Sequence, residues 1–166
     1  MSFLRDFQAN GLSFPNTSRP DINELVEQIP TEGTLHMAIL QPPYLDLIVE
    51  GTKTIESRFN IKRAAPFGKV VVGDLILLKE TGKPITNYFF AASVLLFDLA
   101  EVPIEYVREN YGQKIQAQDE ETFWRERAAS RYATLIEVGE RGAVAPFAVT
   151  KKDQRGWVTF TRRRTL

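Results

Sequence analysis

Residues 41–58 read Gln41-Pro42-Pro43-Tyr44-Leu45-Asp46-Leu47-Ile48-Val49-Glu50-Gly51-Thr52-Lys53-Thr54-Ile55-Glu56-Ser57-Arg58. The prolines suit a first helical turn, where a fixed φ helps and a missing N–H costs nothing. Tyr44 to Glu50 then supplies barely two apolar turns. Gly51 stands where a helix ends in a left-handed residue. Thr52 to Phe59 alternates as a strand. The local unit is therefore a short helix that stops at a glycine and runs directly into a strand.

Inside this unit lies the pattern G-x-K-x-x-E-x-R. Glu56 and Arg58 are two apart and share one face of a strand. Lys53 is three residues from Glu56 and has the opposite parity. It joins the pair only from the turn or across a bulge. Arginine offers a planar donor fork for phosphate or carboxylate. Lysine offers a point charge, or a base or nucleophile where burial lowers its pKa. A neighbouring glutamate orients either one. The competing reading is a Glu56–Arg58 surface ion pair with Lys53 solvated, worth about 0–1 kcal/mol.

Outward from the unit, Leu35 to Leu40 reads as a strand. Val70-Val71-Val72 and Leu75 to Leu78, around Gly73-Asp74, read as two strand pieces or one bulged strand. Asn87 to Val102 is too long for an average strand, and a bend near Ala91-Ala92-Ser93 fits barrel curvature. Pro103 to Tyr111 reads as a helix ended by Gly112. Asp119 to Arg131 reads as another, with Asp119 as N-cap and Phe123, Trp124 and Ala128 as its buried stripe. Tyr132 to Val138 is a strand before Gly139, Pro146 to Thr150 a weak one, and Arg155 to Thr161 the last. Strands dominate, the helices are short, and no βαβ rhythm appears. The expected class is α+β, a mixed β-barrel with short peripheral helices. Residues 1–33 read as an extension with a helix from Ile22 to Ile29 capped by Asp21. Residues 34–162 form the domain, and 163–166 a basic tail.

The 166 residues suit a single domain, and 43% hydrophobic with 25% charged residues excludes general disorder. The absence of cysteine excludes disulfides, thiol nucleophiles and zinc–thiolate sites. With His36 the only histidine, no metal or other cofactor is expected, and His36 reads as a hydrogen-bonded structural residue. No apolar run reaches 18 residues, so no membrane helix is expected. The N-terminus lacks the pattern of a secretory signal, which makes the cytoplasm the expected location. Net charge is zero, but residues 51–100 carry +3 and residues 141–166 carry +6, against −5 for 1–50 and −4 for 101–140. A basic surface arises if segments 51–83 and 151–164 meet in space; the competing reading is scattered solvated charge. Such a surface suits a short nucleic-acid element, a nucleotide or another anion.

The run from Ile39 through Gln41-Pro42-Pro43-Tyr44 to Arg58, followed by Val72-Gly73-Asp74, resembles the ASCH domain, a branch of the PUA-like β-barrel superfamily. The resemblance spans Leu35 to about Arg162. It implies a PUA-like barrel whose motif lines a cleft between barrel and helices, and a role in RNA binding or coactivator association. The implied ligand is RNA or a nucleotide-like small molecule. Its expected binding residues are Lys53, Glu56 and Arg58, with Tyr44 to stack a base and Lys62 and Arg63 approaching from the next loop. Phe59 and Trp157 are further stacking candidates. Residues 1–33 offer a surface for a protein partner.

Some small bacterial members are similar to amidohydrolases of N4-acylated cytidine, and nuclease activity is also associated with the family. The implied alternative is a metal-independent hydrolase of a modified nucleoside or of RNA, with Lys53 as base or nucleophile and Glu56 orienting it. Amidohydrolase-like members carry a threonine where this chain has Glu56. They also draw a glutamate from the segment after the long central strand, where this chain offers Glu109, Glu120 and Glu121. Burial and Arg58 lower the Lys53 pKa while Glu56 raises it. The expectation is a mostly charged Lys53, which favours binding over catalysis.

Overall fold

The computed structural model describes residues 7–8, 12–13, 20–151 and 155–162. The apolar stretch Leu35–Leu40 forms β3, after β1 (Phe7–Gln8), β2 (Leu12–Ser13) and α1 (Pro20–Glu27). It pairs in parallel with β5 (Leu75–Glu80) and antiparallel with β9 (Trp157–Arg162). Antiparallel pairing then continues from β5 to β6 (Ile85–Asp98), to β7 (Tyr132–Phe147) and to β4 (Ile55–Asn60). With β1 on β9, the order is β1-β9-β3-β5-β6-β7-β4. β2 pairs separately with β8 (Thr150–Lys151).

Register shifts at Phe89/Ala91 and Ala91/Ser93 bend β6 against β7. The bend falls where small residues were expected to permit it, and such irregularities increase local curl. The curled sheet carries end strand β4 round towards β3 and β9. No pairing among the described strands closes that seam. Arg58 bridges it instead, donating from Nη2 to Ile39 O and from Nη1 to Gly156 O, each at 3.0 Å. The architecture is α+β: an open half-barrel with short helices outside it.

Helix α1 buries Ile22, Leu25 and Val26, with Ile29 just beyond, in a cluster with Leu35, Met37 and Phe160. Burying each such side chain contributes about 1.5–3 kcal/mol. Its outer face carries Glu24 and Glu27. The helix starts at Pro20, so Asp21 lies in its first turn instead of capping it. On the far side, α3 (Ile104–Ile115) and α4 (Glu121–Glu126) enclose a second cluster of Val107, Ile115, Phe123 and Trp124 against Ile55 and Leu135.

Further expectations change: Ala128 is exposed, and Pro146 and Phe147 end β7 instead of opening a separate strand to Thr150. Residues 70–74 form no strand, because Val71 gives its N–H to Asp74 Oδ2 at 3.0 Å instead of to a ladder. Gly112 lies inside α3, where the returning chain packs so closely that a Cβ would meet Gln118 Cα at 3.1 Å. Gln116 ends the helix in the left-handed conformation. Asp119 caps nothing: α4 is confined to Glu121–Glu126, and Glu120 precedes it. Gly139 does not end its strand, which runs on to Phe147 in one piece with β6 beside it. The tail 163–166 and most of residues 1–19 of the extension lie outside the described residues.

His36 is fully buried. Its Nε2 lies 2.8 Å from Asp74 Oδ2, and its Nδ1 lies 3.0 Å from Thr159 Oγ1 and 3.3 Å from Trp157 Nε1. Asp74 also accepts the Thr34 N–H. This network ties β3, β9 and the 70–74 loop together, as a structural histidine should.

Candidate ligand cavity at the barrel seam

The geometry follows from helix α2 (Tyr44–Glu50) and its stop. Leu45 and Ile48 anchor the helix in the core. Gly51 takes φ 89°, and its N–H returns to Ile48 O. Lys53 then donates its backbone N–H to Leu47 O, two residues before β4 begins. This turn places the Lys53 side chain on the Glu56–Arg58 side, which resolves the parity conflict without a bulge.

The Lys53 ammonium is buried. Its Nζ donates to Ile55 O at 2.7 Å and Ile115 O at 2.9 Å, 3.9 Å from Glu56 Oε2 and 5.2 Å from the centre of the Tyr44 ring. Burial pushes its pKa down to about 8, opposed by Glu56 and reinforced by Arg58 and Arg127. At pH 7 such an amine remains about nine-tenths protonated. Of the opposing effects, burial wins, and the lysine still carries its charge.

Glu56 is 4% exposed. Its Oε1 accepts from Arg58 Nε at 3.2 Å. Its Oε2 has no hydrogen-bond partner in the protein. Arg58 commits all three of its nitrogens to Glu56, Ile39 and Gly156. Its role is to pin the seam and hold Glu56, which leaves little of its donor fork for a ligand.

These residues line a cavity of about 230 Å³ that opens to solvent. Tyr44, Phe59 and Phe123 supply its aromatic walls, and Arg127 stands at its side. The Arg127 guanidinium stacks 3.6 Å from the Phe123 ring centre and donates from Nη1 to Phe123 O. Burial holds the Tyr44 phenol above its ordinary pKa. It therefore stays protonated at neutral pH, a donor and acceptor at the rim.

The structure thus brings Tyr44, Lys53, Glu56 and Arg58 together. Lys62 and Arg63 are exposed in the loop after β4 and do not line the cavity, with Arg63 lying over Phe67. Glu109, Glu120 and Glu121 are exposed and also stand outside the lining, Glu121 paired with Arg108. Sequence reasoning missed Arg127. The available signal was its spacing four residues after Phe123, which brings a guanidinium back over the ring of the preceding turn. At the seam Arg58 reaches Gly156, and Lys69 and Arg155 line one cleft beside it. Among the described residues no cluster of His, Cys, Asp or Glu is arranged to hold a metal. No described helix is long and apolar enough to cross a membrane.

A curled half-barrel with a helix–glycine–strand unit opening on a cleft defines a PUA-like module. The ASCH domain profile matches residues 39–151, and the chain belongs to that family. ASCH from Zymomonas mobilis has the same fold, with a TM-score of 0.53 at 20% identity over 68% of this chain and 71% of that one. A serine-to-alanine variant of that protein gives 0.52 at 20% identity, covering 68% and 72%. A tyrosine-to-phenylalanine variant gives 0.51 at 20%, covering 68% and 74%. No curated protein matches by sequence. ASCH domains are in general RNA-binding, PUA-like modules.

Proposed function

We propose that this ASCH domain binds RNA by taking one unpaired base, or the base of a nucleotide, into the seam cavity. The observation that carries the reading is the Glu56 carboxylate: buried, lining the cavity, with Oε2 lacking a donor. An unsatisfied buried acceptor costs about 1–3 kcal/mol or more when charged, and an incoming N–H relieves that cost. A base edge supplies such a donor, and Tyr44, Phe59 and Phe123 supply aromatic surface for its faces. At about 230 Å³, the cavity falls below the roughly 300–1,000 Å³ of ordinary ligand sites and suits one ring system. Lys53 holds positive charge beneath the carboxylate, and Arg127 meets acceptors at the rim.

Titration calorimetry with the four ribonucleosides and with short single-stranded RNAs tests this. At least one nucleoside binds, and Arg127→Ala weakens it about tenfold without unfolding the protein. Absence of binding by every nucleoside and RNA would overturn the proposal.

One observation favours a hydrolase as the second reading, the lowered pKa of Lys53. A base near neutrality is what proton transfer requires. Against it, the amine is held by two carbonyls and is mostly charged at pH 7. In the same samples, turnover of N4-acetylcytidine or RNA that survives a chelator and disappears in Lys53→Met would reverse this ranking.

A further inference from the structure

The loop that leaves β4 reads Ile61-Lys62-Arg63-Ala64-Ala65-Pro66-Phe67-Gly68-Lys69, and no acidic residue stands between Glu56 and Asp74 in the chain. Lys62, Arg63 and Lys69 are all exposed. Among the described residues none of the three has a carboxylate partner, whereas Lys83, Arg108 and Arg131 each hold one. Asp98 is the acid that feels the charge of Arg63, and it already accepts two hydrogen bonds from Arg131. The loop is also held in shape. Phe67 and Lys69 donate their backbone N–H groups to Ala64 O and Pro66 O, at 3.0 and 2.9 Å. The Phe67 ring centre lies 4.8 Å from that of Tyr132, and the Arg63 guanidinium lies 5.4 Å from the Phe67 ring centre. Ala64, Ala65, Pro66 and Lys69 form one bank of a cleft of about 580 Å³, which meets the seam cavity at Arg58 and Phe59. Glu56 already matches the charge of Arg58, so the loop supplies the free positive charge on this side of the cavity.

We infer that this loop holds the sugar-phosphate backbone of a single RNA strand whose base occupies the seam cavity, with Lys62, Arg63 and Lys69 each meeting a phosphate. This rests on the base-binding reading above and adds to it the surface that carries the rest of the strand. Exposed cations without acidic neighbours attract a polyanion and displace its counterions on contact. A loop that is already ordered loses little further freedom when a strand docks on it. Phosphate contacts position a strand and carry no sequence information, which suits a surface of point charges. Any choice of base stays with the cavity. The loop begins where β4 ends, and β4 supplies Glu56 and Phe59 to the cavity. A strand that leaves the cavity past Phe59 therefore runs onto the loop. Charge complementarity identifies the partner as a polyanion, and continuity with the aromatic cavity identifies it as RNA.

The test measures ribonucleosides, single-stranded hexaribonucleotides containing them and inorganic tripolyphosphate, on wild type and on a variant carrying Lys62→Gln, Arg63→Gln and Lys69→Gln together, between about 50 and 200 mM salt. The three side chains are exposed and lie outside the seam cavity, so the variant keeps its melting temperature and binds the nucleoside within twofold of wild type. On wild type the hexanucleotide should bind at least tenfold more tightly than its nucleoside. Its log–log salt slope should be about −2, the value for three phosphates neutralised on a single strand. In the triple variant that slope should fall towards zero, and the hexanucleotide should bind no more than a few-fold better than the nucleoside. Equal affinity for nucleoside and hexanucleotide on wild type, or a slope that the triple variant leaves unchanged, would sink the inference while leaving the base-binding reading intact. Tripolyphosphate that binds as tightly as the hexanucleotide would make the loop a general anion surface and overturn it. If no nucleoside binds, the base-binding reading fails, and this extension fails with it.

Discussion

A lysine ammonium withdrawn from water retains its proton only if dipoles and charges replace the lost hydration. At Lys53 the carbonyls of Ile55 and Ile115 supply that replacement, and Glu56 adds its charge at 3.9 Å. The replacement is incomplete, so the pKa settles at about 8 instead of 10.5. A consequence in pH follows. Ligand affinity holds through neutrality and falls above about pH 8, approaching tenfold per unit, as the cation under Glu56 is lost. Stability moves the other way. The unfolded chain binds the extra proton between about pH 8 and 10.5, so this group's contribution to stability rises with pH over that interval. Titrating ligand and urea stability across pH 6.5–10 separates the two, and Lys53→Met removes this binding transition. Affinity constant to pH 10 in the wild type would contradict the assignment. Residue parity narrowed Lys53 to the turn or a bulge, and the chain takes the turn. The partners of Arg58 were not legible, since Ile39 and Gly156 lie 19 and 98 residues away and only the curl of the sheet brings them together.

The unit of helix, glycine and strand at 44–60 carries the cavity floor, and Gly51 is its hinge. A side chain there would adopt φ 89°, a left-handed conformation costing about 1–2 kcal/mol, with a Cβ 2.6 Å from Arg141 Nη2. Gly51→Ala should therefore lower the melting temperature by about 2–8 °C. It should also weaken ligand binding, because the turn that directs Lys53 inward must shift. A thermal melt and a titration of the same variant check both, and an unchanged melt would show that the turn tolerates a Cβ. Gly51 was legible because a proline start and an apolar helix precede it. Gly112 was misread because the same residue type answers a different demand, room for the chain that returns at Gln118. Helical spacing does not reveal which segment will later pack against a helix. Likewise, Val71 and Val72 have strand propensity but are exposed in a loop whose N–H goes to Asp74.

At the scale of the molecule, the seam brings Arg58, Lys69 and Arg155 from distant parts of the chain into one region. Arg58 closes that seam by hydrogen bonds and divides the space along it into an aromatic cavity with a buried carboxylate and a second cleft lined by Lys69, Arg155 and Trp157. The barrel's incomplete closure thus forms the candidate site. Charge arithmetic by segment left open whether the basic segments meet or scatter their charge into solvent, and the division into two cavities depends on how far the sheet curls, which strand periodicity does not specify. The central claim is that an RNA base enters the cavity between Tyr44, Phe59 and Phe123. Ultraviolet crosslinking of a bound short RNA, mapped by mass spectrometry, tests it most directly. The account predicts crosslinks at one or more of these three rings, lost on competition with the free nucleoside. Crosslinks confined to remote aromatics such as Tyr88 or Tyr106 would contradict it.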